Sequence, residues 1–91
     1  MLIRSQDKTV IVNIDNAFNI EIRGINGATA IYIGSSSRCC NIAEYSTKAK
    51  AMKVLDMIQD AYERYEYEKV FKTGLTLFET FQMPEDGSVE V

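Results

Sequence analysis

The chain contains no histidine, which removes the side chain most often used as general base, as metal ligand and as the middle member of a catalytic triad. It has two cysteines, the adjacent Cys39 and Cys40, and two thiols without a histidine do not make a zinc site. Neighbours in a strand point to opposite faces, so no bond between them is expected, and reduced thiols fit a reducing compartment. No glycine-rich phosphate loop or dinucleotide fingerprint occurs. No apolar run approaches the roughly 18 to 20 residues of a membrane span, and the N-terminal stretch lacks the long apolar core of a secretory signal. The expected location is therefore cytoplasmic, with no membrane partner. Carboxylates could still do acid and base work. Asp56 and Asp60, however, lie four apart with Lys53 and Arg64 at ion-pair spacing, the pattern of a solvated helix face. No catalytic residue, metal or cofactor is expected, and the chain does not read as an enzyme.

What the sequence does contain is a change of period at Glu44-Tyr45-Ser46-Thr47. Before it, Val10, Val12 and Ile14, then Phe18, Ile20 and Ile22, then Ala28, Ala30 and Tyr32 recur at every second position, the mark of strands with one apolar face. After it, Ala51, Leu55, Ile58, Tyr62 and Tyr65 step by four and three, an apolar stripe along a helix. Ninety-one residues, 46% hydrophobic and 25% charged, suffice for one domain with one core.

Leu2 to Arg4 and Thr9 to Ile14 read as a hairpin joined by the polar Ser5-Gln6-Asp7-Lys8. Asp15-Asn16 turns the chain into Phe18 to Arg23, and Gly24-Ile25-Asn26-Gly27 reverses it into Ala28 to Ile33. Gly34 to Ser37 ends that strand, and Arg38 to Ala43 makes the next. Ser46 or Thr47 caps a helix running to about Lys72, with Thr73-Gly74 as its stop. Leu75 to Phe81 reads as a final short strand ended by Met83-Pro84. The expected fold is α+β: an antiparallel meander of four to five strands with one long C-terminal helix on one face, in outline pleckstrin-homology-like. Residues 1–84 form the domain and residues 85–91 an acidic tail, with Val89 and Val91 as its anchors. One helix covers only one sheet face and edge strands invite pairing, so a homo-oligomer is expected.

Charge is divided. Met1 to Lys53 carries seven Lys and Arg against four acids, whereas Val54 to Val91 carries three against nine. A basic sheet half could attract an anion and an acidic helical half a basic partner. Arg4, Arg23 and Arg38 are the candidates for bidentate contact with a phosphate, joined by Lys48 at the helix start. Tyr67, which falls off the core stripe, could stack on a ligand. Asp56, Asp60, Glu63 and Glu66 form the candidate protein-interaction face; direct nucleic-acid binding is not expected.

Met1 to Lys8, Glu44 to Thr47 before Ala51, Val54 to Ile58, and Phe81 to Pro84 together resemble short proteins carried by phages and integrated mobile elements of Firmicutes. The resemblance spans nearly the whole chain and carries no catalytic or binding residues with it. It places the variable stretch at Asn16 to Arg38, the tip of the meander, as the place for target contacts. It implies a non-enzymatic accessory protein in the host cytoplasm, acting in counter-defence by binding a host defence protein or by sequestering an anionic nucleotide signal. The alternative is a structural or regulatory phage component that works through protein contacts and takes no small ligand.

Overall fold

The computed structural model describes residues 1–35, 38–71 and 80–90. The alternating half folds into β1 (Leu2–Arg4), β2 (Ile11–Asn13), β3 (Asn19–Ile25), β4 (Ala28–Gly34) and β5 (Cys39–Tyr45). The half with helical spacing forms α1 (Lys48–Phe71), and β6 (Thr80–Gln82) follows. The fold is α+β, a mixed and an antiparallel sheet with one long helix lying against β4 and β5. The strands divide into two three-stranded sheets, β2-β1-β6 and β3-β4-β5. In the first, Ile3 sits opposite Val12 in an antiparallel pair and opposite Phe81 in a parallel one. The second is antiparallel throughout. The stretch Leu75 to Glu79 of the expected last strand, the Thr73-Gly74 helix stop, Ser36-Ser37 and Val91 lie outside the described residues. Among those described, no helix is long and apolar enough to cross a membrane.

Short polar side chains set the turns. Between β1 and β2, Asp7 Oδ1 accepts from the Ser5 hydroxyl (2.7 Å), the Thr9 hydroxyl (2.7 Å) and the Thr9 amide (3.0 Å), while Lys8 takes a left-handed φ of 69°. Donation from the Thr9 hydroxyl first, then from the Ser5 hydroxyl and the Thr9 amide, lowers the Asp7 carboxyl from 3.8 to about 2. A carboxyl with a depressed folded-state pKa stabilises the fold above its unfolded value and loses that contribution as pH falls through the folded one. Asp7→Ala should therefore melt below the parent at pH 7, and the difference should shrink between about pH 4 and pH 2. Carboxyl-detected NMR checks the cause directly: an Asp7 titration near pH 4 would refute it.

Asn26 (φ 46°) and Gly27 (φ 83°) form the two-residue turn between β3 and β4, both in the positive-φ region that a type I′ hairpin requires. That turn sets the register, with Ile20 opposite Ile33 and Ile22 opposite Ile31 on one face, and Glu21 opposite Tyr32 on the other. Between β4 and β5 the register shifts, so that Ile31 faces Ala43 while Tyr32 faces Asn41. Ile42 is the extra residue of this bulge, and Ile42 and Ala43 are both buried.

The buried stripe of α1 is Ala51, Val54, Ile58, Ala61 and Tyr65. It is rotated from the expected stripe toward Val54 and Ala61. Leu55 and Tyr62 are half-buried and flank the seam, where they line an apolar groove with Ile14 and Ile20. Val54, Ile58 and Tyr65 fill the seam with the two alanines, and Leu55 and Tyr62 fall to its margin. Thr47 caps the helix, its hydroxyl accepting from the Lys50 amide at 3.2 Å. The Glu85-to-Glu90 segment is docked on the domain: Asp86–Ser88 is a 3₁₀ turn and Val89 is buried.

Gln6 joins the two sheets through its main chain and its side chain. The Gln6 amide N–H donates to Ile42 O (2.8 Å), and its side-chain Nε2 donates to Glu44 O (3.1 Å) and Pro84 O (3.2 Å). Its Oε1 accepts from Glu44 N at 3.0 Å. The outer edge of β5 is thus closed by a glutamine acting as a rung of the ladder. No described residue pairs with the outer edge of β3.

Candidate functional site

The three sheet arginines do not share a site. Arg4, exposed on β1, donates from Nε to Lys8 O at 3.1 Å and fastens its own hairpin. Arg23 lies on the wet face of β3, where it is ion-paired with Glu21, sits 4.7 Å over the Tyr32 ring and approaches Cys39 Sγ at 3.6 Å. It is thus occupied on three sides. Arg38 differs: it follows the loop after β4, whose ends are tied by Ser35 N donating to Arg38 O at 2.8 Å. Its side chain makes no hydrogen bond or ion pair among the described residues, and Arg38 lines a cleft of about 260 Å³.

That cleft opens between β2 with the Ile14–Asn16 turn on one side and the ends of β4 and β5 on the other. Its apolar lining comes from Val12, Ile33 and Cys40, and Arg38, Asn13 and Asn16 supply its polar groups. Asn13 is held in place by accepting from Asp15 N at 3.0 Å, which caps the short 3₁₀ turn. The alternation of β5 puts Cys40 into the cleft and Cys39 on the opposite, wet face, and neither is in a disulfide. A cleft lined by apolar side chains together with an arginine and two asparagines suits a small anion attached to an apolar or planar body.

Lys48 is exposed at the start of α1, but the anion of this corner is the protein's own. Asp86 Oδ1 accepts from Ser46 N (2.8 Å) and Ser46 Oγ (3.1 Å), and Lys50 Nζ donates to Asp86 O (3.0 Å) and pairs with its carboxylate (3.5 Å). These contacts, the Ser46 amide first, hold the Asp86 carboxyl below the usual carboxylate range. Tyr67 is exposed on the helix surface.

The acidic face divides as well. Asp56, Asp60 and Glu63 are exposed, and Glu63 accepts from Gln59 Nε2 at 3.1 Å. Glu66 is half-buried and accepts the Tyr62 hydroxyl, which raises the tyrosine pKa. The spacing to Lys53 and Arg64 closes no ion pair with Asp56 or Asp60 among the described residues. Sequence reasoning did not single out Asn13 or Asn16 as site residues. The available signal was Asn16 at a turn, together with its place at one end of the Asn16-to-Arg38 stretch. The chain matches no protein-family model, no curated protein and no solved structure.

Proposed function

We propose that the protein acts by binding, without catalysis, and that the cleft beside Arg38 holds the anionic part of a nucleotide. The observation that carries this reading is the contrast between Arg38 and the other two sheet arginines. Arg4, Arg23 and Lys50 are engaged within the fold, whereas Arg38 borders a cavity with no internal partner among the described residues. The cleft is smaller than the roughly 300 to 1,000 Å³ of common small-molecule sites, so it takes a phosphate and its sugar while the base lies across the surface. The setting we propose is sequestration of a nucleotide signal in phage counter-defence, on the strength of the resemblance noted above. A second reading, blockade of a host protein through the outer face of α1, draws on Met52, Asp56, Asp60 and Glu63. These exposed residues follow one another at spacings of four, four and three.

The test is calorimetry with linear and cyclic nucleotides on the parent and on three single variants. Arg38→Ala should weaken binding by about ten- to a hundredfold, since a hydrogen bond to a charged group contributes about 1.5 to 3 kcal/mol. Arg4→Ala and Arg23→Ala should bind as the parent does. No heat with any nucleotide, or unchanged affinity in Arg38→Ala, would refute the reading and leave the acidic helix face as the interaction surface.

A further inference from the structure

Both edges of a sheet need an answer to unsatisfied backbone groups, and in the β3-β4-β5 sheet only one edge has it among the described residues. The β5 edge is closed by Gln6. The β3 edge, seven residues long, has no partner among the described residues, whereas β1, β2 and β6 span three residues each. Most lone edges carry a proline, a bulge or an inward-pointing charge as protection. Asn19–Ile25 contains no proline, its register with β4 is unbroken, and its core-side positions are Ile20 and Ile22. Phe18, immediately before the strand, is 77% exposed.

We propose that β3 is the interface of a two-fold dimer, pairing antiparallel with β3 of a second copy about Ile22. The residue pattern selects this register. A shift by an odd number of residues would set Glu21 or Arg23 opposite an isoleucine and merge the wet face of one sheet with the apolar face of the other. Centring the pair on Glu21 sets two carboxylates face to face, and centring it on Arg23 sets two guanidiniums face to face. Centring it on Ile22 places Glu21 opposite the partner's Arg23 and Arg23 opposite the partner's Glu21. On the apolar side it joins the two Ile22 side chains. Ile20 then falls opposite the partner's Gly24, which has no side chain to crowd it. Phe18 comes to lie against the partner's Asn26-Gly27 turn. The result is an isologous, self-complementary contact that closes on itself as a six-stranded sheet. It shares no residue with the cleft bordered by Arg38 and does not depend on that cleft's ligand.

Sedimentation of the full chain over a wide concentration range, in reductant, tests this directly. The parent should show a monomer–dimer equilibrium. Glu21→Arg alone and Arg23→Glu alone each convert both cross-strand pairs to like charges, and each should weaken the dimer about tenfold. The double exchange Glu21→Arg/Arg23→Glu should restore it. Both side chains are exposed, and circular dichroism of the monomer confirms that each variant is folded. A parent that stays monomeric throughout, single variants that dimerise as the parent does, or a double exchange that fails to restore the dimer would each overturn the proposal.

Discussion

Ile58→Ala should lower stability by about 2 to 5 kcal/mol, the range for removing a buried isoleucine and leaving a cavity. Ile58 is 2% exposed at the middle of the α1 seam, in one cluster with Ile31, Ile33 and Val54. A domain of this size is stabilised by only about 5 to 15 kcal/mol in all, so the loss is a large share of the total. In a chain of about 100 residues each kcal/mol moves the melting temperature by roughly 4 to 8 °C, so thermal and urea unfolding both resolve it. Leu55→Ala is the informative control. Leu55 stands at the margin of the seam beside Ile14 and Ile20, half in solvent, and its truncation should cost only about 1 to 2 kcal/mol. Equal losses in the two variants would mean that the seam runs through Leu55, and a near-parental Ile58→Ala would mean that the helix does not rest on this face.

That comparison also marks where the sequence stops being legible. Alternation locates the strands because a two-residue period separates two faces, yet it does not choose the core face of β4: Ile31 and Ile33 join Ile22 and Ile20 there, while Ala30 and Tyr32 lie on the side of Arg23 and Glu21. Gly24-Ile25-Asn26-Gly27 marks the reversal and Ser46-Thr47 the helix start because both act within a few residues of their partners, and the structure narrows them to an Asn26-Gly27 turn and a Thr47 cap. The seam of α1 is different. Ala51, Val54, Leu55, Ile58, Ala61 and Tyr62 all fall within one broad apolar arc, and the position of β4 and β5 decides which of them touch the sheet. Ala51, Ile58 and Tyr65 belong to both the expected and the observed seam, whereas Val54 and Ala61 take the places expected of Leu55 and Tyr62. The site shows the same limit. Arg4, Arg23 and Arg38 look alike in sequence, yet Arg23 is spent on Glu21 and Tyr32 and Arg4 on its own turn. The cleft exists only because β2 and the end of β5 come together, and no local pattern records that contact. The Asp86 carboxylate at the helix start is likewise a pairing across 40 residues.

The junction of the two sheets supplies the second large effect. Gln6→Glu is nearly isosteric, and the new carboxylate can still accept from Glu44 N. It cannot donate, so Glu44 O and Pro84 O each lose a hydrogen bond and face a negative charge instead. Glu44 O is left without its donor while Pro84 O keeps the Tyr45 hydroxyl, so with the added repulsion the variant should be less stable than the parent by about 1 to 3 kcal/mol at pH 7. The pH dependence identifies the cause. A carboxyl set against two carbonyls has its folded-state pKa raised above the ordinary value of about 4.3. The penalty is therefore full above the raised pKa and fades as pH falls toward 4, where the protonated group can donate one bond again. Pro84 O also accepts the Tyr45 hydroxyl at 2.7 Å, so the two donors cover for each other. Tyr45→Phe alone should cost about 1 kcal/mol because Gln6 still serves the carbonyl. The double variant should lose more than the sum of the two, since only then is Pro84 O left without a donor beside the buried ring of residue 45. Strict additivity in urea unfolding at pH 7, or a Gln6→Glu variant as stable as the parent, would show that the two sheets are held together elsewhere.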